Sequence, residues 1–145
     1  MRRLALAVVL TVLASGCAPQ RGPLRLRYEG SDAGREAATL AVAEWKDVCG
    51  ADVALASDGD VPLVETDLGI PTGLSGYTWW HGVHPDAIHV RPAPYDRAAL
   101  YAHEIGHALG LHHTAPGVVD VMSATISVDD HVTAADCNAL ANVVE

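Results

Sequence analysis

Basic residues are scarce in this chain of 145 residues: Lys and Arg number 9, against 18 Asp and Glu, for a formal net charge of −9. The acidic residues are spread along the chain rather than gathered in a tail, which is typical of a solvated surface. This charge argues against nucleic acid and anionic lipid surfaces as partners. Internal repeats and low-complexity segments are also lacking, and the length suits one domain with its own core.

An apolar run long enough for a permanent transmembrane helix is missing near the start of the chain. The run Leu4–Leu13 follows a basic start and precedes small residues, as in a secretory signal peptide, to which we assign residues 1–16. The residues "LASG" directly before Cys17 resemble a bacterial lipobox, which implies that Cys17 becomes the lipidated N-terminus. An ordinary signal peptide cut at a nearby small residue is the alternative.

We therefore expect an exported, monomeric protein that is anchored to a bacterial cell envelope through lipid at Cys17. Residues 17–23 would form a tether and residues 24–145 the folded domain. Ala18 stands where aspartate commonly retains such lipoproteins at the inner membrane, so the sequence favours the outer membrane.

Cysteines are few, and their number has one simple explanation. If Cys17 carries lipid, Cys49 and Cys137 remain as an even pair in an exported protein, where disulfides persist. A bridge would close a loop of some ninety residues and contribute up to about 4 kcal/mol of stability. Two separately buried thiols are the alternative.

Hydrophobic periodicity predicts an α+β domain with five strands and three helices. The strands fall within residues 24–30, 51–57, 61–70, 74–82 and 86–92, with a turn at 83–86, and the helices within 33–50, 93–110 and 133–145. We therefore expect a twisted mixed sheet of about five strands with two long helices, followed by a loop and a C-terminal helix.

Local signals mark several element boundaries. Ser31 or Asp32 can cap the first helix and Gly50 can end it, while Thr133 can cap the last helix. Pro62 places the start of the third strand at an edge or entry position, since proline cannot donate a backbone hydrogen bond.

The second helix carries the residues that point most directly to chemistry. His103 and His107 are four residues apart, so their side chains leave one helical face about one turn apart and can share a zinc ion. Glu104 follows the first histidine, where a carboxylate can take a proton from a water at the metal.

A third ligand is needed to hold zinc firmly. Gly110 can adopt a positive φ and turn the chain off the helix, which lets His113 return to the metal. His112 is out of register, and we place it on the surface or the cleft rim. The sequence therefore predicts one catalytic Zn²⁺ with three histidine ligands and a fourth position open to water.

The pattern H-E-x-x-H-x-x-G-x-x-H resembles that of the metzincin clan of zinc metallopeptidases, in particular matrixins and their small bacterial relatives. The resemblance implies a zincin-like fold for residues 24–145, with Met122 in a methionine turn that forms an apolar floor under the ligands. It also implies that the strand with Tyr77, Thr78, Trp79 and Trp80 edges the cleft and pairs with an extended substrate. Trp79 and Trp80 should face opposite sides, with one of them in the core.

The expected function is that of a zinc endopeptidase that acts on protein or peptide substrates. Two alternatives stay open: a catalytically idle, zinc-containing binding module, and a zinc hydrolase that acts on a non-peptide amide. His81, His84 and His89 are interpreted as loop and strand residues, with remnants of a second zinc site as the alternative. Ala124 stands where some members of the clan carry a metal-binding tyrosine, so no such tyrosine switch is expected.

Overall fold

The computed structural model describes residues 22–92, 97–115, 118–127 and 130–143. It has the α+β architecture that the sequence predicts, with five strands and three helices in the described ranges: β1 Leu24–Glu29, α1 Asp32–Cys49, β2 Val53–Leu55, β3 Val61–Glu65, β4 Gly76–His81, β5 His84–Val90, α2 Arg97–Ala108 and α3 Ala134–Ala141. The predicted signal peptide, Cys17 and most of the tether lie outside the described residues, as do residues 93–96, where the second helix was expected to begin.

The five strands form one mixed sheet in the order β2-β1-β3-β5-β4. Neighbouring strands run parallel except for β4, which pairs antiparallel with β5 and lies at the edge. Pro62 lies in β3, inside the sheet, but pairing between β3 and β5 starts only at Leu63. The proline is thus at an entry position and not on an edge strand, and its missing N–H interrupts no bond to β5.

One face of the sheet supplies the core. On β1, Leu24, Leu26 and Tyr28 are buried, whereas Arg25 and Glu29 on the other face are exposed. This alternation follows from the two-residue period of a strand. Helices α1 and α2 pack against each other in the helical layer of the core.

Trp45 joins the two long helices. Its side chain is completely buried, and its indole Nε1–H donates to the carbonyl of Ala102 at 2.8 Å. A buried indole needs such an acceptor, because an unpaired buried N–H is costly. The bond fixes α1 against α2 one residue before His103.

The predicted helix caps are confirmed. Ser31 is the N-cap of α1 and accepts from the Gly34 N–H, and Gly50 ends that helix in the left-handed region with φ of 65°. Thr133 caps α3 in a reciprocal pair with Asp136: each side chain accepts from the other residue's backbone N–H.

Two details of the β4–β5 hairpin differ from the sequence-based expectation. β5 begins at His84, so the turn comprises Gly82 and Val83 rather than residues 83–86. Trp79 and Trp80 are 42% and 38% exposed, so the prediction that one of them is a core residue is wrong. The ladder has a register shift between them, and the last three residues of β4 are all exposed. This end of the hairpin therefore projects beyond the core, and strand alternation no longer implies burial there.

The predicted disulfide is present, and the alternative of two separate thiols is wrong. Cys49 at the end of α1 is bonded to Cys137 in α3, with Cα atoms 4.9 Å apart. Glu44 adds a second link, since its carboxylate accepts from the Val132 N–H at 2.9 Å. Both contacts hold the C-terminal segment against α1. Within the described ranges, no helix is long and apolar enough to cross a membrane.

Candidate metal centre

Helix α2 and the bend after it bring three histidines together. His103 and His107 lie one turn apart on α2, and Gly110, with φ of 96°, turns the chain so that His113 returns toward them. The Nε2 atom of His107 lies 3.0 Å from that of His103 and 3.2 Å from that of His113, and the remaining Nε2 pair is also 3.2 Å apart. These three side chains therefore lie close enough to hold one metal ion.

Backbone carbonyls fix the tautomers of the two helical histidines. His103 Nδ1 lies 2.7 Å from the carbonyl oxygen of Val121, and His107 Nδ1 lies 2.8 Å from that of Leu111. A carbonyl oxygen can only accept, so each Nδ1 carries the proton and donates it. In the neutral ring the lone pair is then on Nε2, the atom that faces the centre of the cluster.

The donor set fits a zinc ion. Two lone pairs that face each other at 3.0 Å, as on His103 and His107, repel unless a cation lies between them. Tetrahedral zinc with Zn–N distances of about 2.0–2.1 Å requires nitrogen atoms roughly 3.3 Å apart, close to the observed 3.0–3.2 Å. Imidazole ligands suit other transition metals as well, so the cluster is compatible with zinc without being specific for it.

The burial of the histidines in the cluster affects their pKa values. His103 is buried, His107 is half-buried and His113 is exposed. Desolvation lowers the pKa of His103 to about 4 and also lowers the pKa of His107, although backbone hydrogen bonds oppose both shifts. Both rings are thus in their neutral, metal-binding form at physiological pH.

Glu104 lies beside the cluster and is only 3% exposed. Burial raises the pKa of its carboxyl to about 7, and a hydrogen bond from Thr78 opposes this shift. A carboxyl that titrates near neutral pH can both accept and release a proton under physiological conditions.

Met122 packs against helix α2, which carries His103 and His107. It is 1% exposed, and a Cβ atom built at Gly106 would overlap its Sδ atom and lie 2.9 Å from Cζ2 of Trp45. Gly106 lies on α2 between His103 and His107, and its absent side chain leaves room for the methionine against this helix.

An open cleft of about 640 Å³ contains the three histidines and Glu104. Tyr77, Thr78 and Trp80 of β4 form part of its wall, and residues 124–127 form another part. The predicted cleft strand is thus at the sheet edge and beside the cluster. Trp79 does not line this cleft; its ring packs edge-on against Tyr77, with centroids 4.9 Å apart.

The other histidines lie apart from this cluster. His112 is exposed and contributes to the wall of a neighbouring cavity, in agreement with its assignment to the surface or the rim. His81 and His84 are exposed in the hairpin, and His89 is half-buried on β5. The described residues contain one group of three potential metal ligands, formed by His103, His107 and His113.

Sequence reasoning missed the contacts that support the site. The carbonyls of Val121 and Leu111, the Thr78 hydroxyl and the glycines at 76 and 106 all contact site residues. Only the glycines carry a signal in the sequence, because a glycine inside a strand or helix indicates close approach of another group.

Comparison with known proteins adds no assignment. No protein-family model and no curated protein matches the chain.

Proposed function

We propose that this protein is a zinc-dependent endopeptidase with the matrixin-like organisation that its histidine motif resembles. The observation that carries the proposal is the convergence of three imidazole Nε2 atoms, 3.0–3.2 Å apart, in an open cleft. The buried carboxylate of Glu104 in the same cleft distinguishes this arrangement from a structural metal site, which has no use for a base.

His103, His107 and His113 would hold the zinc ion. A zinc ion in such a site polarises a carbonyl and lowers the pKa of water. Glu104 accepts the proton of the attacking water and passes it to the nitrogen of the departing amine. The neutral tautomers of His103 and His107 are kept by the backbone carbonyls throughout, so neither ring competes for that proton.

The edge strand supports a substrate that is an extended peptide. Within the described sheet, β4 pairs with β5 alone, so the backbone groups along its other side can bond to a further strand. Tyr77, Thr78 and Trp80 line the cleft along this edge. A peptide that adds to β4 would therefore bring one of its carbonyls to the histidine cluster.

Metal content and peptide-library cleavage by the purified protein test the proposal. We expect one zinc per chain, and cleavage that stops with a chelator and returns with zinc. Glu104→Ala should keep its zinc and lose about 10²- to 10⁴-fold in kcat, the usual contribution of a general base. The matched control Glu36→Ala changes an exposed glutamate on α1 and should keep wild-type activity.

Three results would contradict the proposal. Cleavage that persists with the chelator would show that the reaction does not need a metal ion. Wild-type cleavage rates in Glu104→Ala would show that Glu104 is not the base. A zinc-loaded protein that cleaves no peptide would favour the binding module or the hydrolase of non-peptide amides.

A further inference from the structure

We propose that Thr78 and Gly76 of β4 form a seat that positions the Glu104 carboxylate for its role as a base. Thr78 would fix one carboxylate oxygen by a hydrogen bond, and Gly76 would leave the space that the other oxygen occupies. The inference rests on the proposed function and adds two positioning residues to it. We call this pair the carboxylate seat.

The hydrogen bond is the first half of the seat. Thr78 Oγ1 donates to Glu104 Oε2 at 3.0 Å, and the Glu104 backbone carbonyl lies at 3.1 Å. A hydroxyl has one proton, and the charged carboxylate is the stronger acceptor of the two. Within the described part of the chain, Thr78 is the one side chain that donates to this carboxylate.

Thr78 is suited to this role by its own environment. It is 9% exposed, on the face of β4 that lines the cleft. A β-branched side chain has few rotamers available, so the hydroxyl is oriented toward the Glu104 carboxylate before substrate binds. Glu104 has three rotatable side-chain bonds, and a base must stay within hydrogen-bond reach of the proton that it abstracts.

The missing side chain of Gly76 is the second half of the seat. A Cβ atom at this position would overlap Oε1 of Glu104 and lie 2.6 Å from its Cγ. The backbone of Gly76 does not adopt a positive φ, so its conformation is open to any residue. The glycine is thus explained by the space that the carboxylate takes and not by a turn.

Variants of the zinc-loaded protein test the seat. Thr78→Val keeps the shape of the side chain and removes the hydroxyl, and we expect kcat to fall about 10- to 100-fold with KM changed less than about twofold. Thr78→Ser restores the hydroxyl and should recover most of kcat. Gly76→Ala fills the space at Oε1 and should lower kcat through the other half of the seat.

The controls separate positioning from folding. Thr39→Val removes a hydroxyl that donates to the Arg35 carbonyl on the exposed face of α1, and should leave kcat unchanged. Every variant should bind one zinc per chain. Crystal structures of the zinc-loaded variants should show the Glu104 carboxylate displaced in Thr78→Val and in place in Thr78→Ser.

The outcomes distinguish this inference from the proposed function. If the wild-type protein cleaves no peptide, the endopeptidase proposal fails, and the carboxylate position in the variant structures still decides the seat. A carboxylate that stays in place in Thr78→Val would overturn the seat, as would unchanged kcat in an active enzyme. A serine variant as impaired as the valine variant, or loss of zinc in Thr78→Val, would assign Thr78 to structure alone.

Discussion

Replacement of Gly106 by alanine tests how closely Met122 packs against helix α2. The new Cβ atom would overlap Met122 Sδ and approach Trp45 Cζ2 to 2.9 Å. Met122 is 1% exposed and Trp45 is completely buried, so the overlap can be relieved only by a shift of side chains that pack in the core. Overpacking of this kind costs about 1–3 kcal/mol, and simultaneous contact with two core side chains favours the upper value.

Helix propensity works in the opposite direction. Alanine is more favourable than glycine inside a helix by about 1 kcal/mol, and Gly106 is an interior residue of α2. The overpacking is larger, so we expect Gly106→Ala to lower the free energy of unfolding by about 2 kcal/mol. Urea unfolding with a chelator present measures this value without a contribution from bound metal.

A double-mutant cycle identifies the cause of the change. Met122→Ala removes the Sδ atom that the new Cβ would overlap, and the remaining approach to Trp45 is offset by the gain in helix propensity, so Gly106→Ala should cost close to nothing in that background. The expected coupling is therefore about 2 kcal/mol. A stabilising effect of Gly106→Ala in the wild-type background, or an equal cost in both backgrounds, would refute the close packing of Met122 on α2.

Two further predictions concern the disulfide and the buried histidine of the cluster. Cys49→Ser combined with Cys137→Ser opens a loop with a sequence separation of 88 and should lower the free energy of unfolding by up to about 4–5 kcal/mol. Thermal unfolding with and without reductant measures this difference. Equal stability of the wild-type protein and the double variant would contradict the loop-entropy argument. The pKa of His103 is lowered by burial to about 4, whereas an unfolded histidine titrates near 6.5, so between these values the unfolded chain binds the extra proton. His103 alone should therefore lower the stability of the metal-free protein by up to about 3 kcal/mol as the pH falls from 6.5 to 4, whereas the raised pKa of Glu104 acts in the opposite direction. The contribution of His103 is measured as the difference in this pH dependence between the wild-type protein and His103→Asn, and His81→Asn should show no such difference.

Features set by local chemistry were predictable from the sequence. The ends of α1 follow from Ser31 and Gly50, because a cap depends on a few neighbouring residues. The convergence of the histidines follows in the same way from the helical repeat and the bend at Gly110. The pairing of Cys49 with Cys137 follows from cysteine number if Cys17 carries lipid.

Features set by distant contacts were not predictable. Nothing in the pattern of β3 indicates that this strand lies between β1 and β5, since strand order depends on how the whole chain packs. The exposure of both Trp79 and Trp80 depends on where the core ends along the hairpin. The contact between Thr78 and Glu104 likewise requires the position of β4 relative to α2, which no local motif encodes.

The structure also explains why position 106, between His103 and His107, is a glycine. The carbonyl of Val121 must come within 2.7 Å of His103 Nδ1 to fix its tautomer, although the two residues are 18 positions apart. Met122 follows Val121 and fills the space left by the absent side chain of Gly106. The close approach of this loop to α2 thus positions Met122 and the Val121 carbonyl together. A larger residue at 106 would push the loop outward, and His103 would lose the carbonyl contact that keeps its Nε2 lone pair toward the histidine cluster.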